Sequence, residues 1–371
     1  MLCPSDEKDL SEAVAAATGP LRIVGGGTRP IGRPVAGEVL SVAGLSGITL
    51  YDPGALTLVA QAGTPLAEIE AALAVENQRL AFEPMDHRTL LGTSGTPTIG
   101  GVVAANVSGP RRVQVGACRD YLLGVRFVDG VGTVLKNGGR VMKNVTGYDL
   151  VKLMAGSWGT LGVLSEVAFK VLPKPDVVNT VVLSGLSDDT AGAAMRAALA
   201  SPFDVTGAAH DPKPGNEPVT SIRIEGFAKS VAYRTDKLKE LLRAYTDDID
   251  TSDDPAGWNV LRNAGPLTGA GDVWRVSAKP TDGPKIAHQV KAKEHYFDWG
   301  GGLIWVLVPE GTDVRASLAG LAGHATLVRG STATRAALPV FHPEPVPLAA
   351  LSAGLRAKFD PRGILNPGLM G

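Results

Sequence analysis

Residues 139–171, GRVMKNVTGYDLVKLMAGSWGTLGVLSEVAFKV, constrain the chain more than any other stretch. Their end is a strand with one buried face. Val163, Val167, Phe169 and Val171 share one side at period two, and Glu166 and Lys170 take the other. A short helix over 149–155 precedes it, with Asp149 placed to cap its start and Gly156 to end it. Between helix and strand runs GSWGTLG, 156–162, whose glycines admit a close approach of backbone. Spacing alone fits a tight connection equally well.

A second glycine cluster follows a short apolar strand at 21–24. GGGTR, 25–29, offers consecutive N–H groups to an anion such as a phosphate. No Gly-Lys-Ser/Thr follows, which excludes a Walker loop, and Pro30 and Pro34 deny the helix that a dinucleotide fingerprint opens. A third cluster, LGTSGTPTIGGVVAANVSGPRR, fills 91–112, and its small residues suggest a helical turn pressed on other backbone. Arg111 and Arg112 at its end read equally as a solvated pair.

The remainder reads as two further regions. Helices are expected at 5–19, capped by Ser5, and after Thr64-Pro65, with strands at 56–61, 120–129 and 131–135. LPKP at 172–175 breaks regular structure and marks a boundary. Beyond it, strands at 177–183, 219–227, 273–277, 303–307 and 326–328 alternate with helices at 189–199, 231–245, 285–296 and 313–321. Residues 202–218 read as a loop and the acidic run 247–254 as a solvated one, with no internal repeat. Leu348, Leu351, Leu355 and Phe359 form a helix stripe that should pack back on the first region. The reading is α+β throughout, with domains at 1–174, 175–345 and 346–371.

A net charge of -1 argues against nucleic acid and anionic membrane surfaces as partners. Two cysteines, Cys3 and Cys118, hold no four-cysteine cluster and suit a reducing, cytoplasmic setting, and no metal site is expected. Acidic residues near Met1 are unlike a signal peptide, so none is expected.

GGGT after a strand, then TIGGVVAANVSG, then MKNVTGYDLVKLMAGSWGTLGVLSEV, occur in the order seen in vanillyl-alcohol-oxidase type flavoproteins, and this chain resembles them. MKNVTGYD, the closing FDPRGILNPG at 359–368, and WRVS, DWGGG and GHAT between them narrow the resemblance to FAD-binding subunits of bacterial glycolate oxidases. The resemblance implies a PCMH-type two-subdomain FAD-binding domain, an α+β cap of split-βαβ type, and a C-terminal segment returning to the FAD domain. It implies that Gly25, Gly26, Gly27, Thr28 and Arg29 sit on the pyrophosphate, and that Thr98, Gly100, Gly101, Ser108 and Gly109 line the second phosphate and ribitol. Gly162 and Val163 would present backbone to the adenine end, and Asn366 would approach the isoalloxazine. Where covalent relatives carry a His beside the first loop, this chain has Thr28 and Arg29, so FAD should be non-covalent.

The implied activity is oxidation of glycolate or a similar small-molecule 2-hydroxy acid, with flavin as hydride acceptor. Arg275 is the candidate for holding the carboxylate and His324 for taking the hydroxyl proton. Catalytic relatives carry a His-rich, metal-binding cap segment, whereas GHATLV here has no second histidine nearby in sequence. The implied partners are a paralogous catalytic FAD subunit and an iron–sulfur subunit, with any membrane association only peripheral, at the inner face and through them. The alternatives are a self-sufficient D-lactate or D-2-hydroxy-acid dehydrogenase, and a structural subunit with vestigial FAD. An exposed apolar cap surface including Trp299 and Trp305 would favour the glycolate oxidase subunit over the self-sufficient enzyme.

Overall fold

The computed structural model describes residues 1–141, 147–213, 216–318 and 320–371. The MKNVT part of MKNVTGYD lies outside them. The chain forms two compact units, one of Met1–Ser108, Ala117–Lys174 and Pro343–Gly371, the other of Gly109–Gly116 and Pro175–His342. No helix among the described residues is long and apolar enough to cross a membrane.

Besides a two-residue pairing of Gln78–Arg79 with Leu172–Pro173, the first unit contains two larger assemblies. Leu21–Val24 pairs in parallel with Glu38–Ser41. Helix Glu7–Ala16 supplies Leu10 and Val14 to a core shared with Leu21, Leu40, Val128, Val163, Ile364 and Leu365. Its cap is Asp6, not Ser5, because the Ser5 hydroxyl donates instead to Asp9. A five-stranded antiparallel sheet forms the second assembly, in the order Ile48–Asp52, Thr57–Gln61, Val163–Lys170, Leu122–Val128, Val134–Gly138. The strand read from residues 163–171 is thus its centre, which explains its apolar face.

The C-terminus corrects an expectation. Helix Val346–Phe359 forms, yet it buries no residue, and Leu348, Leu351 and Leu355 are 52%, 66% and 39% exposed. The tail beyond it is what returns. Ile364 accepts from Leu21 N–H, Asn366 donates back to the Leu21 carbonyl, and Asp360 Oδ2 accepts from Leu365 N–H at 2.7 Å.

The second unit holds one eight-stranded antiparallel sheet with a topological repeat. Its order is Ile249–Ser252, Val177–Ser184, Val219–Gly226, Val205–Asp211, Glu294–Asp298, Leu303–Val308, Asp272–Ala278, Gly323–Arg329. Numbered within each half the strands run 4-1-3-2 and then 2-3-1-4, two split-βαβ units joined edge to edge. The two joining strands are the ones local pattern hides. Val205–Asp211 is buried on both faces and shows no alternation, and Glu294–Asp298 follows its helix after three residues, the first a left-handed Lys291. The acidic run supplies edge strand Ile249–Ser252, where charge deters further pairing.

One carboxylate pins the seam. Asp188, in the first turn of Asp188–Ala200, lies 2.8 Å from His295 Nε2 and 3.3 Å from His210 Nε2, and those histidines sit on the two joining strands. Burial raises the Asp188 pKa, but hydrogen bonds from His210 and His295 outweigh it and hold the carboxyl well below the usual range.

Candidate functional site

In the first unit the glycine clusters converge. Loops 25–29 and 93–98 touch backbone to backbone: a Cβ on Gly26 would stand 1.5 Å from the Thr96 carbonyl oxygen, and one on Gly95 1.7 Å from that of Gly26. Thr93 Oγ1 donates to the Thr28 carbonyl at 3.0 Å. Thr98 caps helix Ile99–Ala104 by accepting from Gly101 N–H, and its hydroxyl lies where a Gly25 side chain would begin. Gly100 packs on Ala62. The 156–162 turn joins the end of the same helix, Gly156 N–H donating to Val103 and Trp158 N–H to Ala104. Asp149 caps the preceding helix by accepting from Lys152 N–H.

What this arrangement leaves unpaired identifies a ligand class. Among the described residues the N–H groups of Gly26, Gly27, Thr28 and Arg29 donate to no protein atom. Gly27 has a φ of +69° and open space where a side chain would be. Arg29 donates to the Gly101 carbonyl at 2.8 Å and to His87 Nδ1 at 3.2 Å. Burial lowers its pKa to about 10, against the pull of Asp86, so it stays a cation at neutral pH. Ser157, which sequence reasoning passes over, has a buried hydroxyl with no hydrogen-bond partner. Free N–H groups in a nest, a fixed cation and an orphan hydroxyl suit a phosphate-bearing dinucleotide.

Other expected residues serve the protein itself. Gly162 lacks a side chain because Phe127 stands 2.6 Å from where its Cβ would be, and Val163 is core. Asn366 Oδ1 accepts from Ile23 N–H at 2.8 Å and its Nδ2 donates to the Trp158 carbonyl at 2.9 Å. Ser108 Oγ accepts from Cys118 N–H, and Gly109 belongs to the second unit.

In the second unit the register brings Arg275 and His324 together. Tyr296, Trp305, Arg275 and Thr326 stand opposite one another across four strands, and Asp298, Leu303, Ser277 and His324 form the next row on that face. Among the described residues the Arg275 guanidinium makes no hydrogen bond or ion pair; it lies over the Trp299 ring, 5.0 Å from its centroid. Burial, and then Arg112, lower its pKa to about 10. His324 is pushed below the usual histidine value by burial first, then by Arg275, His342 and Arg112. His342 meets it edge-on at 6.3 Å, a second histidine that sequence distance conceals. Among the described residues no group of three or more His, Cys, Asp or Glu could hold a metal ion.

Segment Gly109–Gly116 brings its arginines here. Arg111 is 4% exposed and paired with buried Glu225, while Arg112 lies 4.8 Å over Trp299, so neither is a solvated surface charge. An exposed apolar cap surface, which would have favoured a subunit over a self-sufficient enzyme, is not formed by the named tryptophans. Trp305 is 4% exposed and stacked on Tyr296, and Trp299 is partly buried with its indole N–H on the Gly109 carbonyl.

Comparison with known proteins agrees with this geometry. A family model for an FAD binding domain matches residues 1–138. The chain is 38% identical to mitochondrial D-2-hydroxyglutarate dehydrogenase of Bos taurus over 46% of its own length and 29% of that protein. Its fold is similar to that of alkyldihydroxyacetonephosphate synthase, with a TM-score of 0.71 at 16% identity over 98% of this chain and 76% of that one. It is 34% identical to the glycolate oxidase subunit GlcE of Escherichia coli (strain K12), over 98% of this chain and 95% of that protein. Identity of that extent, on a chain whose glycine loops leave a cradle of backbone donors open to phosphate, makes this an FAD-binding flavoprotein belonging to the GlcE family of glycolate oxidase subunits.

Proposed function

We propose that the chain is the FAD-binding subunit of a glycolate oxidase complex that oxidises glycolate, or a similar 2-hydroxy acid, to the 2-oxo acid. The observation that carries this reading is Arg275, a partly buried guanidinium with no carboxylate hydrogen-bonded to it among the described residues, on the same sheet face as a histidine held neutral. A substrate carboxylate would supply the missing hydrogen bonds, bidentately. His324, neutral at pH 7 because burial and Arg275 disfavour its cation, would take the hydroxyl proton as the carbonyl forms. Bound FAD supplies the two-electron acceptor that this oxidation requires.

The first unit would hold that FAD through the N–H groups of Gly26, Gly27, Thr28 and Arg29, with Thr98, Gly100 and Gly101 shaping the loop behind them. Ser108, Gly162, Val163 and Asn366 would support it from flanking segments of the same unit. The attachment would be non-covalent. With only two cysteines the chain has no four-cysteine cluster of its own. Onward electron transfer would therefore fall to an iron–sulfur partner, beside a paralogous catalytic flavoprotein, in the cytoplasm or at the inner membrane face.

The test is to purify the chain alone, record its visible spectrum, and add glycolate or D-lactate without oxygen. Flavin absorbance that persists supports a subunit needing its partners. Absorbance that bleaches would make the chain a self-sufficient dehydrogenase. A colourless protein that takes up no added FAD would remove flavin binding from the reading.

A further inference from the structure

We infer that Trp299 is a positioning residue, whose ring face holds the Arg275 guanidinium in the place where it receives the substrate carboxylate. The inference rests on the reading of Arg275 given above and assigns a role to a residue outside the acid–base pair. Trp299 follows Asp298 at the end of strand Glu294–Asp298 and has a φ of +52°, a left-handed backbone that a bulky side chain seldom adopts. Such a conformation persists only where its surroundings over-determine it. Three hydrogen bonds do so here. Asp298 Oδ1 accepts from Trp299 N–H at 2.7 Å, the Trp299 carbonyl accepts from Gly302 N–H at 3.2 Å, and the indole N–H donates to the Gly109 carbonyl at 3.1 Å.

The ring so fixed is shared by two cations. Arg275 lies 5.0 Å and Arg112 4.8 Å from its centroid. Two guanidinium groups near one indole repel each other, and the lowered pKa of Arg275 shows that cost, after burial. Arg275 nevertheless has no carboxylate bonded to it, so attraction to the ring is the direct contact that keeps it from swinging toward solvent. Stacking engages the guanidinium's flat face and leaves its in-plane N–H fork directed elsewhere. An arriving carboxylate therefore finds the fork already oriented and relieves the repulsion from Arg112. A small 2-hydroxy acid has few other contacts to offer, so this pre-orientation should carry a large part of its affinity.

The test uses the full chain and oxalate, a small carboxylate that cannot be oxidised as a 2-hydroxy acid, titrated by calorimetry. Arg275→Gln should weaken binding more than tenfold, Trp299→Leu about tenfold, and Trp299→Phe, which keeps an aromatic face, no more than about threefold. Binding by Trp299→Leu at wild-type strength, with Arg275→Gln impaired, would overturn the role of Trp299 and leave that of Arg275 standing. Unchanged binding by Arg275→Gln, or none by the wild type, would overturn both. Equal weakening by leucine and phenylalanine would assign the effect to the indole N–H and overturn a role for the ring face. Tryptophan fluorescence keeps the question open to test should the leucine variant not fold. Oxalate should perturb the emission of the wild type and not that of Trp299→Phe, and an equal change in both would count against the inference.

Discussion

Gly26 and Thr96 stand so close that a Cβ on the glycine would lie 1.5 Å from the threonine carbonyl oxygen. One residue on, Gly27 has the opposite surroundings, a left-handed φ and nothing within 4 Å of the same position. The two glycines should therefore fail differently. Gly26→Ala must force the two loops away from each other and should yield little folded protein. Gly27→Ala should fold, at a cost of about 1–2 kcal/mol for the left-handed alanine, and lose FAD by intruding on the open cradle. Thermal melting and flavin content after gel filtration measure both. A Gly27→Ala protein with full flavin would remove that position from the cofactor site.

The contrast also shows what a sequence reveals. The glycine loops and the 163–171 strand are legible because their signals are local, a period of two or several glycines within one turn. The cap's repeat is not, because its two joining strands give no local signal: Val205–Asp211 is buried on both faces, and Glu294–Asp298 reads as the end of a helix. His324 and Arg275 stand out by residue type, but His342 beside them, and the burial of Arg111 with Glu225, depend on chain segments far apart in sequence. The terminal stripe correctly signals a helix, but of its residues Phe359 at the end meets Phe127 of the first unit while the leucines stay exposed, since amphipathic spacing does not say whether a face is covered.

His324 should titrate below an ordinary histidine. Burial disfavours its cation, and Arg275 adds to that, so its neutral form should persist to more acidic pH. NMR titration of its ring proton should give a midpoint below the reference value of about 6.5. Arg275→Gln removes the positive charge that acts on it most strongly and should move that midpoint up. A wild-type midpoint at or above the reference would deprive the proposed base of its neutral form at the working pH.

Asp188 should matter most where it is charged. Its carboxylate is hydrogen-bonded to His295 and lies 3.3 Å from His210, one histidine on each half of the cap sheet, and its folded pKa lies below the unfolded one. A depressed carboxylate contributes stability that is complete above its unfolded pKa and is lost as pH falls through the folded one. Asp188→Asn should thus cost about 1–3 kcal/mol at neutral pH, and its deficit relative to wild type should shrink once pH drops below about 4. Melting curves at pH 7 and pH 3.5 test this; a deficit that is the same at both would show that the charge does not hold the seam.

Asn366 closes the first unit through two bonds that no other side chain of its size reproduces. Its carbonyl takes Ile23 N–H, its amide serves the Trp158 carbonyl, and its own backbone is left-handed with a φ of +44°. Asn366→Leu strands a donor and an acceptor in a buried setting and forces a branched residue into that backbone. Each unsatisfied group costs about 1–3 kcal/mol, so a total of roughly 3–5 kcal/mol is expected once backbone strain is added. Asn366→Asp separates the two bonds. It keeps the acceptor for Ile23 N–H but places a carboxylate oxygen against the Trp158 carbonyl, so it should be destabilised as well, and increasingly so as pH rises and the carboxylate ionises. The two variants thus differ in their pH dependence, which chemical denaturation at pH 5 and pH 8 would measure. A pH-independent loss in Asn366→Asp equal to that of the leucine variant would mean that the retained acceptor for Ile23 N–H contributes nothing, and no loss in Asn366→Asp would mean the same of the amide donor to Trp158.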